Sequence, residues 1–236
     1  MIYCFGDSWG YGSELDLTKE KPFIDILGLK VNTDFKNYSV QGGSIGHITH
    51  EIFKRGEEFN EKDFIVVVIP PDIRSYCETN GSQIHSLWLA DENHLKEIEK
   101  QDEFLYKEFK HYMDVVSHKK IWFSYHMSLF IFSLQEYFIR KKCQFVFIHN
   151  YGKMSLYPPF ENLINKDKFL NFEKSLTEIL CETEQIDLIS ENSDAPMSKI
   201  FTGVYFEGKG THPNQLGHEK ICELIMENQN FKKWYQ

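Results

Sequence analysis

Short unbroken apolar runs alternate along the chain with stretches whose apolar residues recur every three or four positions. Ile2 to Phe5 is apolar and stops at Gly6, which predicts a buried strand and a turn. Pro22 to Leu29 predicts a short helix with proline in its first turn. Phe35 to Val40 predicts a second strand, ended by Gly42 and Gly43, and Ser44 to Glu58 a helix with Ser44 as its candidate N-cap. Phe64 to Ile69 is apolar throughout, mostly β-branched, and stopped by Pro70-Pro71. A strand without alternation has both faces covered, which points to a parallel sheet between helical layers. His94 to His118 predicts an amphipathic helix, and Ile121 to Arg140 a more apolar one. Gln144 to Ile148 predicts a fourth strand, Lys166 to Cys181 a helix, Ile186 to Ile189 a short fifth strand, and Asn214 to Met226 a terminal helix.

Strands alternating with helices predict an α/β fold of three layers, a parallel sheet between two sets of helices. The expectation is a single domain over residues 1–236, enlarged by a helical insertion at about 80–142. In such folds ligands bind beyond the carboxyl ends of the strands. Those ends carry Gly6-Asp7-Ser8, Gln41 to Ser44, Pro70 to Arg74 and His149 to Gly152.

Composition narrows the function. Apolar residues make up 42% and charged residues 26% of 236, the balance of a globular chain rather than a disordered one. A formal net charge of -9 argues against binding nucleic acid through the whole surface. The five cysteines (4, 77, 143, 181 and 222) are odd in number and form no C-x-x-C pair, so a disulfide framework and a zinc ribbon are both disfavoured. They read as reduced thiols in a cytoplasmic setting. The N-terminus has neither the basic region nor the apolar run of a signal peptide, and Ile121 to Phe138 is too polar for a membrane span. Alanine occurs only at 90 and 195 and arginine only at 55, 74 and 140, against many Lys, Phe, Ile, Asn and Tyr. That is the bias an AT-rich genome writes, which suggests a phage or a low-GC microbe as origin.

The candidate chemistry lies at the two ends. In G-D-S-W-G-Y-G, residues 6 to 12, a serine follows a strand inside a glycine-rich turn. That setting suits a nucleophilic hydroxyl beside exposed backbone N–H groups. It equally suits Ser8 as a helix N-cap. In G-T-H-P-N-Q-L-G-H, residues 210 to 218, His212 stands in a turn before a helix and can reach back to Ser8, whereas His218 on the helix reads as a surface residue.

Together these segments resemble the SGNH/GDSL hydrolases, a family of esterases, lipases and carbohydrate deacetylases. The resemblance implies a flavodoxin-like sandwich, with Ser8 as nucleophile and His212 as general base. N-Y-S-V-Q-G-G-S, residues 37 to 44, is similar to the family's second block, which makes Gly42 an oxyanion donor with Gly43 the alternative. Asp7, Trp9, Gly43, His47, Asp72 and Arg74 complete the candidate site as substrate-binding residues, and Trp9 and Tyr11 are placed to stack on a sugar ring. Two positions depart from the family pattern. Pro71 stands where an oxyanion asparagine belongs, a loss worth roughly 3 kcal/mol. Lys209 stands where the triad aspartate belongs, leaving Glu207 or a backbone carbonyl to orient His212.

No ligand spacing supports a metal, and no cofactor is implied: His47 and His50 share a helix face without a completing acid. The expected activity is hydrolysis of a small-molecule or carbohydrate ester, with neither nucleic acid nor membrane as partner. The alternative is a ligand- or glycan-binding protein that keeps the fold without turnover. A third reading has Arg74 and Lys209 serve an anionic substrate. The insertion helices then act as sheet cover, lid or dimer interface.

Overall fold

The chain begins with a strand, β1 (Ile2–Phe5), a one-turn helix, α1 (Ser8–Tyr11), and a longer helix, α2 (Phe23–Lys30). Next come β2 (Phe35–Asn37), α3 (Ile45–Lys54) and β3 (Phe64–Ile69). A hairpin follows, β4 (Arg74–Thr79) and β5 (Gln83–Trp88), and then the long helix α4 (Lys120–Lys141). The remaining elements are β6 (Gln144–His149), α5 (Leu176–Thr183), α6 (Gln215–Glu227) and α7 (Gln229–Tyr235). This computed structural model describes residues 1–13, 15–70, 74–79, 83–88, 96, 99, 100, 107, 120–151, 154–183, 205 and 212–236, with β4 and β5 described by their backbone.

The central sheet has strand order β2-β1-β3-β6, all parallel. Successive side chains of a strand point to opposite faces, and here both faces are covered. Ile2, Cys4, Val66, Val68, Val146 and Ile148 meet Phe23, Leu27, Leu180, Ile221 and Phe231 on one side, from α2, α5, α6 and α7. Tyr3, Phe5, Ile65, Val67, Phe145 and Phe147 meet Ile48, Ile52, Ile131, Leu134 and Phe138 on the other, from α3 and α4. All six residues of β3 are buried, each contributing roughly 1.5–3 kcal/mol by removal from water. The fold is the three-layer α/β sandwich that the unbroken strands predicted.

The order places β1 between β2 and β3, the point at which a flavodoxin-like sheet reverses its direction of growth. In an open α/β sheet the loops beyond such a point diverge to opposite faces, and here the loop after β1 carries Gly6 to Ser8.

Three expectations need correction. The region from 80 was expected to be helical, but β4 and β5 pair antiparallel from Arg74↔Trp88 to Thr79↔Gln83, so a hairpin precedes the helices. Lys166 to Cys181 is not one helix. A 3₁₀ turn at Lys166–Lys168 gives way to extended chain, where Leu170 N–H donates to Phe147 O (2.8 Å), and α5 starts only at Leu176. His218 lies in the core rather than at the surface. The fifth strand expected at Ile186 to Ile189 lies outside the described residues, as does most of His94 to His118, of which Lys96, Glu99, Lys100 and Lys107 are helical. Among the described residues, no helix is long and apolar enough to cross a membrane.

Candidate active site

Helix α1 begins immediately after β1, and its N-cap is Asp7, not Ser8. The Asp7 carboxylate accepts the Trp9 N–H at 3.0 Å. Asp and Ser are comparable caps, and the capping task falls to the first of them. The Ser8 hydroxyl is therefore left for another partner, and it lies 2.8 Å from His212 Nε2. Gly12 closes the turn in the left-handed region, φ 83°, where glycine carries no steric cost. Ser8 itself is 5% exposed.

His212 is delivered by the start of α6. Asn214 caps that helix by accepting the Gly217 N–H at 3.0 Å, and the Asn214 N–H donates to Tyr205 O at 2.9 Å. Gly217 is required by close approach: a Cβ there would lie 2.4 Å from Tyr205 O. His218 Nδ1 accepts the Phe23 N–H at 3.1 Å, which joins α6 to the first turn of α2 and places the remaining ring proton on Nε2. Burial, and then the nearby His212, push the His218 imidazole down to about 3, so it stays neutral. Within H-P-N-Q-L-G-H the asparagine, glycine and second histidine hold the turn that presents the first histidine.

The second loop is a turn from Val40 to Gly43, closed by Gly43 N–H to Val40 O at 3.1 Å. Positive φ occurs within it only at Gly42, 72°, the third position of a type II turn. The Gly43 N–H is thus committed to the turn, and of the two glycines Gly42 is the candidate donor. Gly43 is buried and packs on the turn that leads to Ser8, since a Cβ there would lie 2.8 Å from Gly6 O. Ser44 caps α3 by accepting the His47 N–H at 3.2 Å. His47 is buried in the first turn of α3, and burial lowers its pKa.

Two candidate contacts are corrected. Asp7 is fully buried, with its carboxylate turned to the Trp9 N–H and to Asn150 Nδ2 (2.9 Å), so it faces the protein rather than a substrate. Trp9 is also fully buried, and its indole N–H donates to Tyr151 Oη at 2.9 Å. It packs in the core and has no face to offer a sugar ring, whereas Tyr11 remains 39% exposed. Pro71, Asp72, Gly152, Glu207 and Lys209 lie outside the described residues, as does the side chain of Arg74, whose backbone opens β4. Among the described residues, no three His, Cys, Asp or Glu side chains are grouped to hold a metal ion.

Asn150 carries no family signature. It lies in a loop whose position at a strand's carboxyl end marked it as a place to search, but nothing in its local sequence distinguishes it.

No family model and no curated protein matches the sequence. Solved structures do. TesA aligns over 99% of this chain and 98% of its own at 9% identity, with a TM-score of 0.53. LAE5, an alpha/beta hydrolase enzyme from the metagenome of Lake Arreo, Spain, aligns over 98% and 94% at 8% identity, with a TM-score of 0.51. A member of the lipolytic protein G-D-S-L family from Veillonella parvula aligns over 96% of each chain at 16% identity, with a TM-score of 0.47. At these identities the likeness to TesA and LAE5 is one of fold: end to end, the chain is similar in architecture to a solved hydrolase.

Proposed function

We propose that the chain is a divergent member of the SGNH/GDSL hydrolases and cleaves a carboxylic ester through Ser8 and His212. The observation that carries this reading is the 2.8 Å contact between Ser8 Oγ and His212 Nε2, residues 204 positions apart. Two oxygen- and nitrogen-bearing side chains from opposite ends of the sequence converge beyond the carboxyl end of β1.

His212 Nε2 takes the hydroxyl proton as Ser8 Oγ attacks the ester carbonyl. The tetrahedral oxyanion is held by backbone N–H groups of Ser8, at the first position of α1, and of Gly42. The protonated His212 then gives its proton to the departing alcohol. Water attacks the acyl-enzyme by the same route, releases the acid and returns the proton to Ser8. These steps use no metal or cofactor. The substrate class is a small-molecule or carbohydrate ester. The burial of Trp9 leaves Tyr11, three residues beyond Ser8, as the exposed ring that supports the carbohydrate form of the proposal.

Hydrolysis of short p-nitrophenyl esters tests the reading. Ser8→Ala and His212→Ala are each expected to lower kcat by about 10³-fold or more, because members of such a unit fail together. Equal rates for wild type and Ser8→Ala would overturn it. The departures at Pro71 and Lys209 favour a second reading, a glycan-binding protein with the hydrolase fold. Acetylated-glycan binding unaffected by Ser8→Ala, with no acyl release, selects that one.

A further inference from the structure

We infer that Asn150 and Tyr151, in the loop after β6, form a clamp that positions Ser8 from both sides; this rests on Ser8 being the nucleophile. The residues flanking the serine are each held by one of two successive residues of that loop. Asn150 Nδ2 donates to Asp7 Oδ2 at 2.9 Å, and Trp9 Nε1 donates to Tyr151 Oη at 2.9 Å. The Trp9 and Tyr151 rings also meet edge to face at 5.1 Å. Asp7 and Asn150 are both fully buried, so no water competes for this bond. The orientation of the amide follows from its partner, because only the NH₂ group can face a carboxylate.

The clamp is anchored at its far end. Asn150 O accepts both the N–H of Thr177 (3.1 Å) and its hydroxyl (2.5 Å), at the start of α5, and the Asn150 N–H donates to Ile69 O (3.4 Å) at the end of β3. One Asp7 oxygen therefore fixes the helix cap and the other ties that cap to the rigid end of β6. Ser8 lies between the two tethered residues, so the backbone that carries its Oγ toward His212 is held from both sides. Asn150 and Tyr151 touch neither reacting atom; they act through Asp7 and Trp9 as positioning residues. Displacement of a reacting group by about 1 Å can cost 10²-fold in rate.

The test is the second-order rate of Ser8 modification by a fluorophosphonate, measured well below the unfolding temperature, with the His212 ring resonances followed by NMR in the same samples. Asn150→Leu keeps the branched shape, in a somewhat larger side chain, and removes the donor; it is expected to slow labelling at least about tenfold and to shift the His212 ring resonances. A double variant combining Asp7→Asn with Asn150→Asp exchanges donor and acceptor while position 7 keeps a side chain able to cap α1. It is expected to recover to within about fivefold of wild type. Tyr151→Phe, which retains the ring, is expected to slow labelling about threefold and serves where Asn150→Leu does not fold. Wild type that labels, with Asn150→Leu or Tyr151→Phe labelling equally fast, overturns the clamp alone, as does an exchanged pair that fails to recover. Wild type that does not label, with His212 ring resonances that shift in Asn150→Leu and return in the double variant, supports the clamp and overturns the hydrolase reading. No labelling and no movement overturn both.

Discussion

Asp7 and Ser8 are adjacent side chains with similar capping ability, and the fold gives them different tasks. The sequence leaves Ser8 open between cap and nucleophile because both residues are good caps and the local turn does not choose. The choice is made by the β6 loop, which draws Asp7 into the cap through Asn150, and by His212, which arrives from the other end of the chain. Trp9 is ambiguous in the sequence for a related reason: an aromatic beside a glycine turn is compatible with a ligand and with the core, and only the tertiary packing that buries it, with Tyr151 against its ring, decides. His218 offers a test at this scale. Its imidazole is held down to about 3 by burial, against an ordinary value of 6.5. Above pH 6.5 folded and unfolded chains both leave it neutral, and its contribution is complete. As pH falls from 6.5 toward 3, the unfolded chain takes up a proton that the folded chain refuses, and stability falls by up to about 1.4 kcal/mol per pH unit. Urea unfolding between about pH 7.5 and 4.5 is expected to show this slope in wild type and a shallower one in His218→Asn, which keeps an acceptor for the Phe23 N–H. Parallel slopes would refute the assignment.

The elements were legible in proportion to how strongly their own periodicity marks them. The parallel strands β1, β3 and β6 are continuous apolar runs, and α4 is a long apolar-patterned helix, so their positions follow closely from the sequence. The chain from 166 to 175 has helix-compatible spacing but forms a 3₁₀ turn and then irregular chain, held to β6 where Phe169 bridges Phe147 in parallel. That pairing is tertiary and has no local signal. The true start of α5 did carry one. Ser175 Oγ accepts the Glu178 N–H (3.3 Å) while the Glu178 carboxylate accepts the Ser175 N–H (2.6 Å), a reciprocal capping box readable as S-L-T-E. Ser175→Ala is expected to cost about 1 kcal/mol and to lower Tm by about 2–4 °C, measured by differential scanning calorimetry. An unchanged Tm would show that the box contributes nothing.

At the scale of the whole molecule, strand order does what no single segment can. The order β2-β1-β3-β6 sets the loop after β1 at the reversal point of the sheet, and α6 packs beside α2 so that His212 closes over Ser8. The contact between Ser8 and His212 was legible to this extent because two short segments at opposite ends of the chain together carry the resemblance that pairs them. Asn150 was not legible, because its role exists only when β6 lies next to β3 and its loop meets the turn after β1. The similarity of fold to TesA and LAE5 agrees with this architecture and leaves the reaction to experiment. The most direct experiment is peptide mapping by mass spectrometry after fluorophosphonate treatment at neutral pH. A single phosphonyl adduct on Ser8, lost in Ser8→Ala and slowed about a hundredfold or more in His212→Ala, is the predicted result. An unmodified Ser8 in folded wild-type protein, or an adduct formed equally fast without His212, would contradict the account.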